Sequence, residues 1–354
     1  MKRISYLILA IAALSFNSNL SAQYLVSHAK STSPGQQNGI YYSLPQTVLR
    51  VDFTIEESTL KVGPYSEYVD LVGANDYVSE DKKEYALKGV SVTPMAEADP
   101  NATFFVTFNS KKGEMNDFYL TPKGILSGVG QPGVMPETVA ETSPVFNFEN
   151  TINQDFKYYY GPVGMNNEED LARDAAEMIA TIRQEKLKLL TGYQETAFLL
   201  DTYKAMFDDL DAMEAEYLSL FIGKRISTTY VRSIYVTPSK EVTSQTVAKF
   251  SKEQGLVAGT NGMGTSISVQ ALSLQTTGSI NQLSQSAVES LSHENKLFYR
   301  IPEVAQVKVT MGNQTLCEGR QTIAQYGVFM LAPLSNSIMT FDSMTGQIVS
   351  IGSK

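Results

Sequence analysis

Tyrosine is the residue type best suited to binding chemistry in this chain, which has 19 tyrosines and no tryptophan. Its side chain combines a flat apolar ring with a hydroxyl group, a combination that suits the recognition of sugars and peptides. In a strand, Tyr158 and Tyr160 would share one face. The sequence therefore predicts ligand-binding candidates at Tyr41, Tyr42, Tyr65, Tyr68, Tyr158 and Tyr160. The alternative is a tyrosine-rich sheet face that packs on helices.

Nucleophilic and metal chemistry have little support, because the chain has two histidines and one cysteine. His28 falls in a polar leader that we expect to be mobile, and His293 falls in a Ser-His-Glu-Asn run typical of a turn. A catalytic triad needs a histidine held in a packed site, and a standard zinc site needs more ligands. We therefore predict no catalytic residue, no metal ligand and no cofactor. Cys317 is expected to be an ordinary buried or edge thiol.

Carboxylates offer an alternative route to catalysis, because paired acids can hydrolyse glycosidic bonds. The acids Asp208, Asp209, Asp211 and Glu214 lie on the surface of a predicted helix, whereas catalytic acids usually lie in a cleft. The Ser79–Lys82 stretch has the spacing of a Ser/Lys nucleophile pair, but it lies in a charged turn without the accompanying motifs.

A modification site is predicted at Ser343. The tripeptide Asp342-Ser343-Met344 fits the Asp-Ser/Thr-aliphatic pattern used for O-glycosylation of exported proteins in some Gram-negative gut anaerobes. It falls in a predicted turn, which we expect to be accessible.

The N-terminus has the pattern of a cleavable signal peptide. Lys2 and Arg3 precede an apolar run of residues 4–16, which is too short to span a bilayer, and Ala22 occupies the expected cleavage position. Cleavage would make Gln23 the new N-terminus. No cysteine follows it, so we predict no lipid anchor. The expected location is the periplasm or the outside of the cell.

Charge narrows the class of partner. The formal net charge is -9, and cleavage would remove two bases and no acid. Phosphate binding needs a basic surface, so we predict no nucleic-acid partner. No later stretch is apolar enough for a membrane-spanning helix, and we predict no transmembrane segment in the mature chain. The expected partners are an envelope protein or a glycan.

Hydrophobic periodicity divides the chain into β, helical and β regions. Leu49, Val51, Phe53 and Ile55 alternate with polar residues and predict a half-buried strand. Two helices are predicted between residues 166 and 224, with Asn167 as the first cap and Gly192 and Gly223 as stops. Residues 166–222 carry thirteen acids against five bases. This acidity indicates a solvated helix face or, alternatively, a docking surface for a basic partner or divalent cations.

These elements predict an α+β fold in which two mainly antiparallel β regions flank a long antiparallel helical hairpin. The predicted organisation is a signal peptide at 1–22, an N-terminal β-rich domain at 23–165, the acidic helical hairpin at 166–224 and a C-terminal β-rich domain at 225–354.

Several phrases together resemble one known family, the domain of unknown function 4831. They are residues 39–45 (GIYYSLP), 63–65 (GPY) with Tyr68, 182–192 (IRQEKLKLLTG), 214–224 (EAEYLSLFIGK), 299–302 (YRIP) and 325–327 (QYG). The resemblance covers nearly the whole mature chain and implies an exported protein of a gut-dwelling Gram-negative anaerobe. It implies no activity and no catalytic residues.

Three functions remain open at this point. The leading hypothesis is a non-catalytic binding or scaffolding module of the envelope. The first alternative is a carboxylate-dependent hydrolase of glycan or peptidoglycan, and the second is a structural subunit of a surface assembly. A cleft with two inward carboxylates would favour the hydrolase, and an unpaired strand edge would favour assembly.

Overall fold

The computed structural model describes residues 23–31, 38–109, 111, 115–133, 155–159, 167–191 and 200–353. The predicted signal peptide and Tyr160 lie outside these residues. The described strands are β1 (Tyr24–His28), β2 (Gly39–Lys61), β3 (Lys82–Phe108), β4 (Phe118–Leu120), β5 (Leu126–Val129), β6 (Lys224–Val236), β7 (Ser244–Ser251), β8 (Gly255–Ala258), β9 (Thr265–Ser273), β10 (His293–Glu294), β11 (Lys296–Met311), β12 (Gln314–Pro333), β13 (Ser337–Phe341) and β14 (Ile348–Ser353). The α-helices are α1 (Glu168–Thr191), α2 (Leu200–Ile222) and α3 (Gln285–Ser290), and 3₁₀ segments cover Ala29–Ser31 and Ser66–Val72.

The strands form three antiparallel sheets. The first has the order β10-β1-β3-β2-β6, the second β12-β11-β9-β7-β8 and the third β14-β13-β5-β4. Strands that are distant in sequence are neighbours in space: β6 pairs with β2, β10 with β1, and β13 with β5. The N-terminal and C-terminal halves of the chain therefore build shared sheets.

The predicted α+β fold, with two β regions flanking a long antiparallel helical hairpin, is wrong. Strand accounts for 52% of the structure and helix for 22%, and three antiparallel sheets define the architecture. Periodicity along the sequence reveals single elements, but strand pairing is decided by contacts between distant residues. The chain between α1 and α2, residues 192–199, lies outside the described residues, and a hairpin is not part of the described architecture.

The predicted alternation in β2 is confirmed and supplies part of the main core. Leu49, Val51, Phe53 and Ile55 are all 0% exposed, and they pack against the second sheet. Full burial of such a side chain stabilises the fold by roughly 1.5–3 kcal/mol. This cluster therefore holds the first and second sheets together.

A second core joins strands of all three sheets. Its centre is aromatic: Phe104 and Phe298 stack with ring centroids 4.4 Å apart, and Tyr42 stacks on Phe104 at 5.3 Å. Met339 and Phe341 of β13 are buried in the same cluster. One apolar cluster thus joins β2, β3, β11 and β13.

The third core joins α1 and α2 to the 3₁₀ segment Ser66–Val72. Helix α1 begins as predicted, because the Glu169 N–H donates to Asn167 Oδ1 at 2.7 Å, and it ends at Thr191. Met178, Leu187 and Leu190 of α1 are exposed. The buried stripe consists of Ala172, Ala175, Ile179, Ile182 and Leu189.

Candidate functional site

The larger of two described cavities opens beside β9, β11 and β12 and has a volume of about 460 Å³. We call it the Glu303 cavity, after the acid of β11 in its lining. The other lining residues are Lys240, Thr243, Ala271, Leu272, Ser273, Gln275, Thr277, Gly278, Ile280, Gln282, Tyr326 and Val328. Ligand-binding pockets typically measure about 300–1,000 Å³ and combine apolar walls with a few polar groups. The Glu303 cavity has both properties.

The carboxylate of Glu303 is 2% exposed and accepts from four donors. The Ser273 hydroxyl and the Gln275 N–H donate to Oε1, the latter at 2.8 Å. The Thr277 hydroxyl donates to Oε2 at 3.0 Å, and Lys240 Nζ lies 3.4 Å from the same oxygen. Desolvation raises the pKa of Glu303, but these donors together outweigh it and the net pKa is lowered.

This carboxylate holds the loop that forms one wall of the cavity. Gln275 has a φ of +55°, a left-handed conformation that is strained for a residue with a side chain, and its N–H is one of the four donors. An ionised carboxylate has about four lone-pair sites, so Glu303 has no acceptor site left for a substrate proton. Its geometry suits a structural anchor and not a general base.

Lys240 and Tyr326 also line the cavity. Lys240 Nζ lies 6.0 Å from the Tyr326 ring centroid and its side chain is 48% exposed, so the ammonium group is open to solvent beside the cavity. Tyr326 is buried, and its hydroxyl lies 2.9 Å from the Ser239 carbonyl oxygen and 3.1 Å from that of Ala271. Desolvation and then the charge of Glu303 raise the pKa of Tyr326, which keeps this phenol protonated.

The second cavity, of about 200 Å³, lies in the helical cluster and is called here the tyrosine cavity. Its lining consists of Tyr65, Tyr158, Leu171, Asp174, Ala175, Met178 and Tyr217. Two of the predicted ligand-binding residues, Tyr65 and Tyr158, therefore meet in one place. Tyr68 packs in the same cluster, whereas Tyr160 lies outside the described residues.

The remaining predicted pair, Tyr41 and Tyr42, lies elsewhere and on opposite faces of β2. Tyr41 is 49% exposed and packs on Phe105 with ring centroids 4.6 Å apart. Tyr42 is buried, and its hydroxyl donates to the Phe298 carbonyl at 3.3 Å and accepts from the Phe298 N–H at 3.1 Å. Tyr42 thus fits the alternative interpretation, a tyrosine of the packed core.

The model of the family "Domain of unknown function (DUF4831)" matches residues 38–348. The chain belongs to the DUF4831 family. Comparison with curated proteins and with solved structures gives no significant match. The resemblance stated from the sequence phrases is confirmed, and both cavities lie within the stretch matched to DUF4831.

The two histidines of this DUF4831 member are not placed as the sequence suggests. His28 ends β1 and is 0% exposed, so the prediction of a mobile position is wrong. Its Nε2 lies 3.0 Å from the Asn101 carbonyl and its Nδ1 accepts from the Lys30 N–H, so both ring nitrogens contact backbone. His293 lies in β10, edge-on to the Phe298 ring, and desolvation lowers its pKa.

Ser343 is 2% exposed and lies in the tight turn that precedes β14. The modification hypothesis requires an accessible hydroxyl, and the expected accessibility is wrong for this residue. The turn is closed by Asp342, whose carboxylate accepts from the Met344 N–H at 2.9 Å and from the Thr345 hydroxyl at 2.8 Å. The short Asp-Ser-Met pattern is therefore explained by turn chemistry.

The pKa shifts of Glu214 and Lys82 run opposite to those of catalytic groups. The pKa of Glu214 is lowered, mainly by its hydrogen bond with Lys186, whereas a glycosidase acid needs a raised pKa. Lys82 hydrogen-bonds Glu84 and Glu80, which raise its pKa, whereas a lysine base needs a lowered one. Within the described residues, no group of three or more His, Cys, Asp or Glu side chains is placed to hold a metal ion.

Sequence reasoning missed Glu303. The sequence pattern predicts two strands, 296–301 and 306–311, and assigns no element to Glu303. Strand β11 instead runs continuously from Lys296 to Met311, with a register shift between Ile301 and Glu303. Ala305, Val307 and Val309 are buried on its inner face. Glu303 continues the alternate-residue pattern of Ala305, Val307 and Val309, and an acid at a position predicted to be buried is the sequence feature that could have identified it.

Among the described helices, none is both long and apolar enough to cross a membrane.

Proposed function

We propose that this DUF4831 member is an exported, non-catalytic binding module of the cell envelope, and that its ligand occupies the Glu303 cavity. The observation that carries the proposal is the cavity itself, of about 460 Å³, with hydrogen-bonding side chains and apolar side chains in one lining. The basic n-region, apolar run and small residue at Ala22 support the exported location.

The charges of the lining indicate a neutral ligand. Lys240 and Glu303 are the charged lining residues, and they lie 3.4 Å apart, so their charges compensate each other. Hydrogen bonding is offered by Thr243, Gln275 and Gln282, which are exposed. Leu272, Ile280 and Val328 supply apolar surface. A neutral, hydroxyl-rich ligand with apolar ring faces, such as a saccharide unit of a glycan, fits this combination.

The test is calorimetric titration of saccharides, chosen from an envelope-glycan array, into three variants. Gln282→Ala and Thr243→Val each remove one hydrogen-bonding group from the lining. Asn281→Ala is the matched control, because Asn281 is exposed and adjacent but is not a lining residue. Each lining variant should weaken binding about three- to tenfold, the range for one neutral hydrogen bond. Binding that is lost equally in the Asn281→Ala control would contradict this assignment of the site.

The hydrolase alternative is tested with the same protein. A glycosidase needs two carboxylates about 5–10 Å apart, and the described lining holds one acid, Glu303, whose acceptor sites are occupied. We expect no release of reducing ends from peptidoglycan or glycan. Release that disappears in Glu303→Gln would reverse the proposal in favour of an enzyme.

A structural subunit is the second candidate, and the edge strand β14 favours it. Strand β14 carries no charged residue, pairs with β13 on one side, and exposes Val349 by 63% and Ile351 by 55%. Such an edge can pair with the same strand of a second copy. Sedimentation should then show a concentration-dependent dimer that Val349→Lys removes. A monomer at all concentrations would contradict assembly through this edge.

Export is tested by N-terminal sequencing of the native protein. The proposal expects a chain beginning at Gln23. Retention of residues 1–22 in the mature protein would contradict cleavage after Ala22.

A further inference from the structure

The tyrosine cavity is independent of the Glu303 cavity, because the two share no lining residue. Three separate segments bring tyrosines to it: Tyr65 precedes the 3₁₀ segment Ser66–Val72, Tyr158 lies upstream of α1, and Tyr217 is in α2. Tyr158 and Tyr217 stack with ring centroids 4.4 Å apart and an interplanar angle of 4°. Aromatic rings carry negative charge density on their faces and attract cations.

One charged side chain belongs to the lining, the carboxylate of Asp174. It is exposed, and within the described chain no hydrogen bond or ion pair engages it. Basic residues of α1, the helix that contains Asp174, form ion pairs with other acids. Arg173 pairs with Glu169 at 2.6 Å, Arg183 pairs with Glu214 at 2.6 Å, and Lys188 pairs with Glu185 at 2.6 Å. These bases of α1 therefore pair with other acids and not with the Asp174 carboxylate beside the rings.

The surroundings are negative as well. Glu168, Glu169 and Asp170 form the first turn of α1, one turn from Asp174. The pKa of the nearby Tyr68 phenol is raised by desolvation and, next, by the carboxylates of Glu168, Glu169 and Glu67. A cation that approaches this end of the helical cluster thus encounters an attractive field.

The same cluster already holds an ammonium group with an aromatic ring and an acid. Lys224 Nζ lies 5.0 Å from the ring centroid of Phe156 and 3.1 Å from a carboxylate oxygen of Glu216. Phe156 is two residues from Tyr158, and Glu216 is adjacent to Tyr217. An aromatic ring and a carboxylate therefore already bind one ammonium group, that of Lys224, beside the cavity.

We propose that the tyrosine cavity binds an organic cation, an alkylammonium or guanidinium head group, between its tyrosine rings and the carboxylate of Asp174. The volume of about 200 Å³ suits a head group, since whole drug-sized ligands occupy pockets of about 300–1,000 Å³. Leu171, Ala175 and Met178 supply apolar contact for the carbon atoms attached to the charged nitrogen. The cation is either a small free amine or the basic side chain of a protein partner.

The test compares choline with 3,3-dimethylbutan-1-ol, its neutral isostere, by calorimetric titration of the full mature chain. Choline should bind at least tenfold more tightly, and its affinity should fall as salt is added. Asp174→Asn should weaken choline binding about two- to fivefold, the range for an exposed charge pair. Asp209→Asn is the matched control, because it makes the same charge change at an exposed position outside the lining.

Equal affinities of the Asp174→Asn and Asp209→Asn variants for the cation that the wild type binds would overturn the proposal. Asp174 is exposed, so both variants should keep the circular dichroism spectrum of the wild type. Tyr158→Leu, which removes one ring of the stacked pair, should abolish choline binding without changing saccharide binding at the Glu303 cavity.

Two peptides distinguish the sources of the cation. Acetyl-Gly-Lys-Gly-amide presents the basic side chain of a protein, and acetyl-Gly-Gln-Gly-amide is its neutral control. Tighter binding of the lysine peptide than of choline would support a protein partner as the source. Tighter binding of choline would support a small amine. Failure of both cations to exceed their neutral controls would overturn the proposal, whatever the result at the Glu303 cavity.

Discussion

Replacement of Glu303 by glutamine tests how the wall of the larger cavity is held. The variant keeps the shape of the side chain and removes its charge. Two donors to Oε1, the Ser273 hydroxyl and the Gln275 N–H, would then meet a neutral oxygen. Hydrogen bonds to charged groups contribute about 1.5–3 kcal/mol and neutral ones about 0.5–1.5 kcal/mol, so each bond should lose about 1 kcal/mol.

The other oxygen becomes an amide group that itself donates hydrogen bonds. The Thr277 hydroxyl can rotate and accept a hydrogen bond from this amide. The Lys240 ammonium group only donates hydrogen bonds, so it loses its acceptor when the amide replaces the carboxylate oxygen. The exposed ammonium group adds at most about 1 kcal/mol to the loss. We therefore expect Glu303→Gln to lower the free energy of unfolding by about 2–3 kcal/mol.

Urea denaturation followed by circular dichroism measures this loss, and Lys240→Met is the control. The control removes the partly exposed ammonium group alone and should cost less than about 1 kcal/mol. Hydrogen exchange should accelerate at the Gln275 amide in Glu303→Gln, because that N–H is one of the donors. A loss below about 0.5 kcal/mol, or an equal loss in Lys240→Met, would refute the anchor role of Glu303.

Three further predictions concern the core and the pH dependence. The pKa of Glu303 is lowered in the folded chain, so its contribution to stability should be complete above pH about 4.3 and be lost as pH falls through the folded-state pKa. In urea titrations, the free energy of unfolding of the wild type should approach that of Glu303→Gln as the pH falls through this range. A constant difference between the two proteins down to pH 2 would contradict the prediction. Phe53→Ala should lower the free energy of unfolding by about 3–5 kcal/mol, because Phe53 is fully buried; a loss below about 1 kcal/mol would exclude its role in joining the two sheets. Arg300→Met should lower the free energy of unfolding by about 3–5 kcal/mol, because it leaves the buried Asp99 carboxylate without the guanidinium group that lies 2.9 Å away. Adding Asp99→Asn should restore part of this free energy. A double variant that is less stable than Arg300→Met would argue against the pairing.

Local features of the fold could be predicted from the sequence because they depend on neighbouring residues. The alternation in β2, the Asn167 cap of α1 and the end of α2 before Gly223 are confirmed. The first follows from the two-residue period of a strand, the second from a capping side chain, and the third from a glycine at positive φ. The Asp99-Pro100-Asn101 tripeptide has the composition of a turn, and the sequence predicts one there; this prediction is wrong, since β3 continues through it.

That error has a tertiary cause. Asp99 is buried and its carboxylate accepts from Arg300, which also donates to the Pro45 carbonyl at 2.6 Å. The partner residue is far away in the sequence, so no local pattern contains it. The chain passes this point with a register shift between Ser43 and Pro45 instead of a turn.

The sequence likewise predicts some features of the candidate sites and misses those that depend on tertiary packing. Tyrosine content indicates binding chemistry, and Tyr65 and Tyr158 do line one cavity, but Tyr217 is not among the residues that the sequence predicts to bind a ligand. Tyr41 and Tyr42 are adjacent in the sequence, yet one is half-exposed and the other is in the core. Composition identifies which side chains are present, whereas burial and convergence depend on how distant segments pack.

The sequence by itself determined the membership in the DUF4831 family, the acidity of residues 166–222 and the positions of the long helices and the β2 strand. Only the tertiary structure decided that β6 pairs with β2 and β13 with β5, that Glu303 is a buried anchor, and that three tyrosines surround one cavity near Asp174. The physical reason is the range of the interactions. Periodicity and capping act within a few residues, but strand pairing and buried hydrogen bonds join residues that only folding brings together.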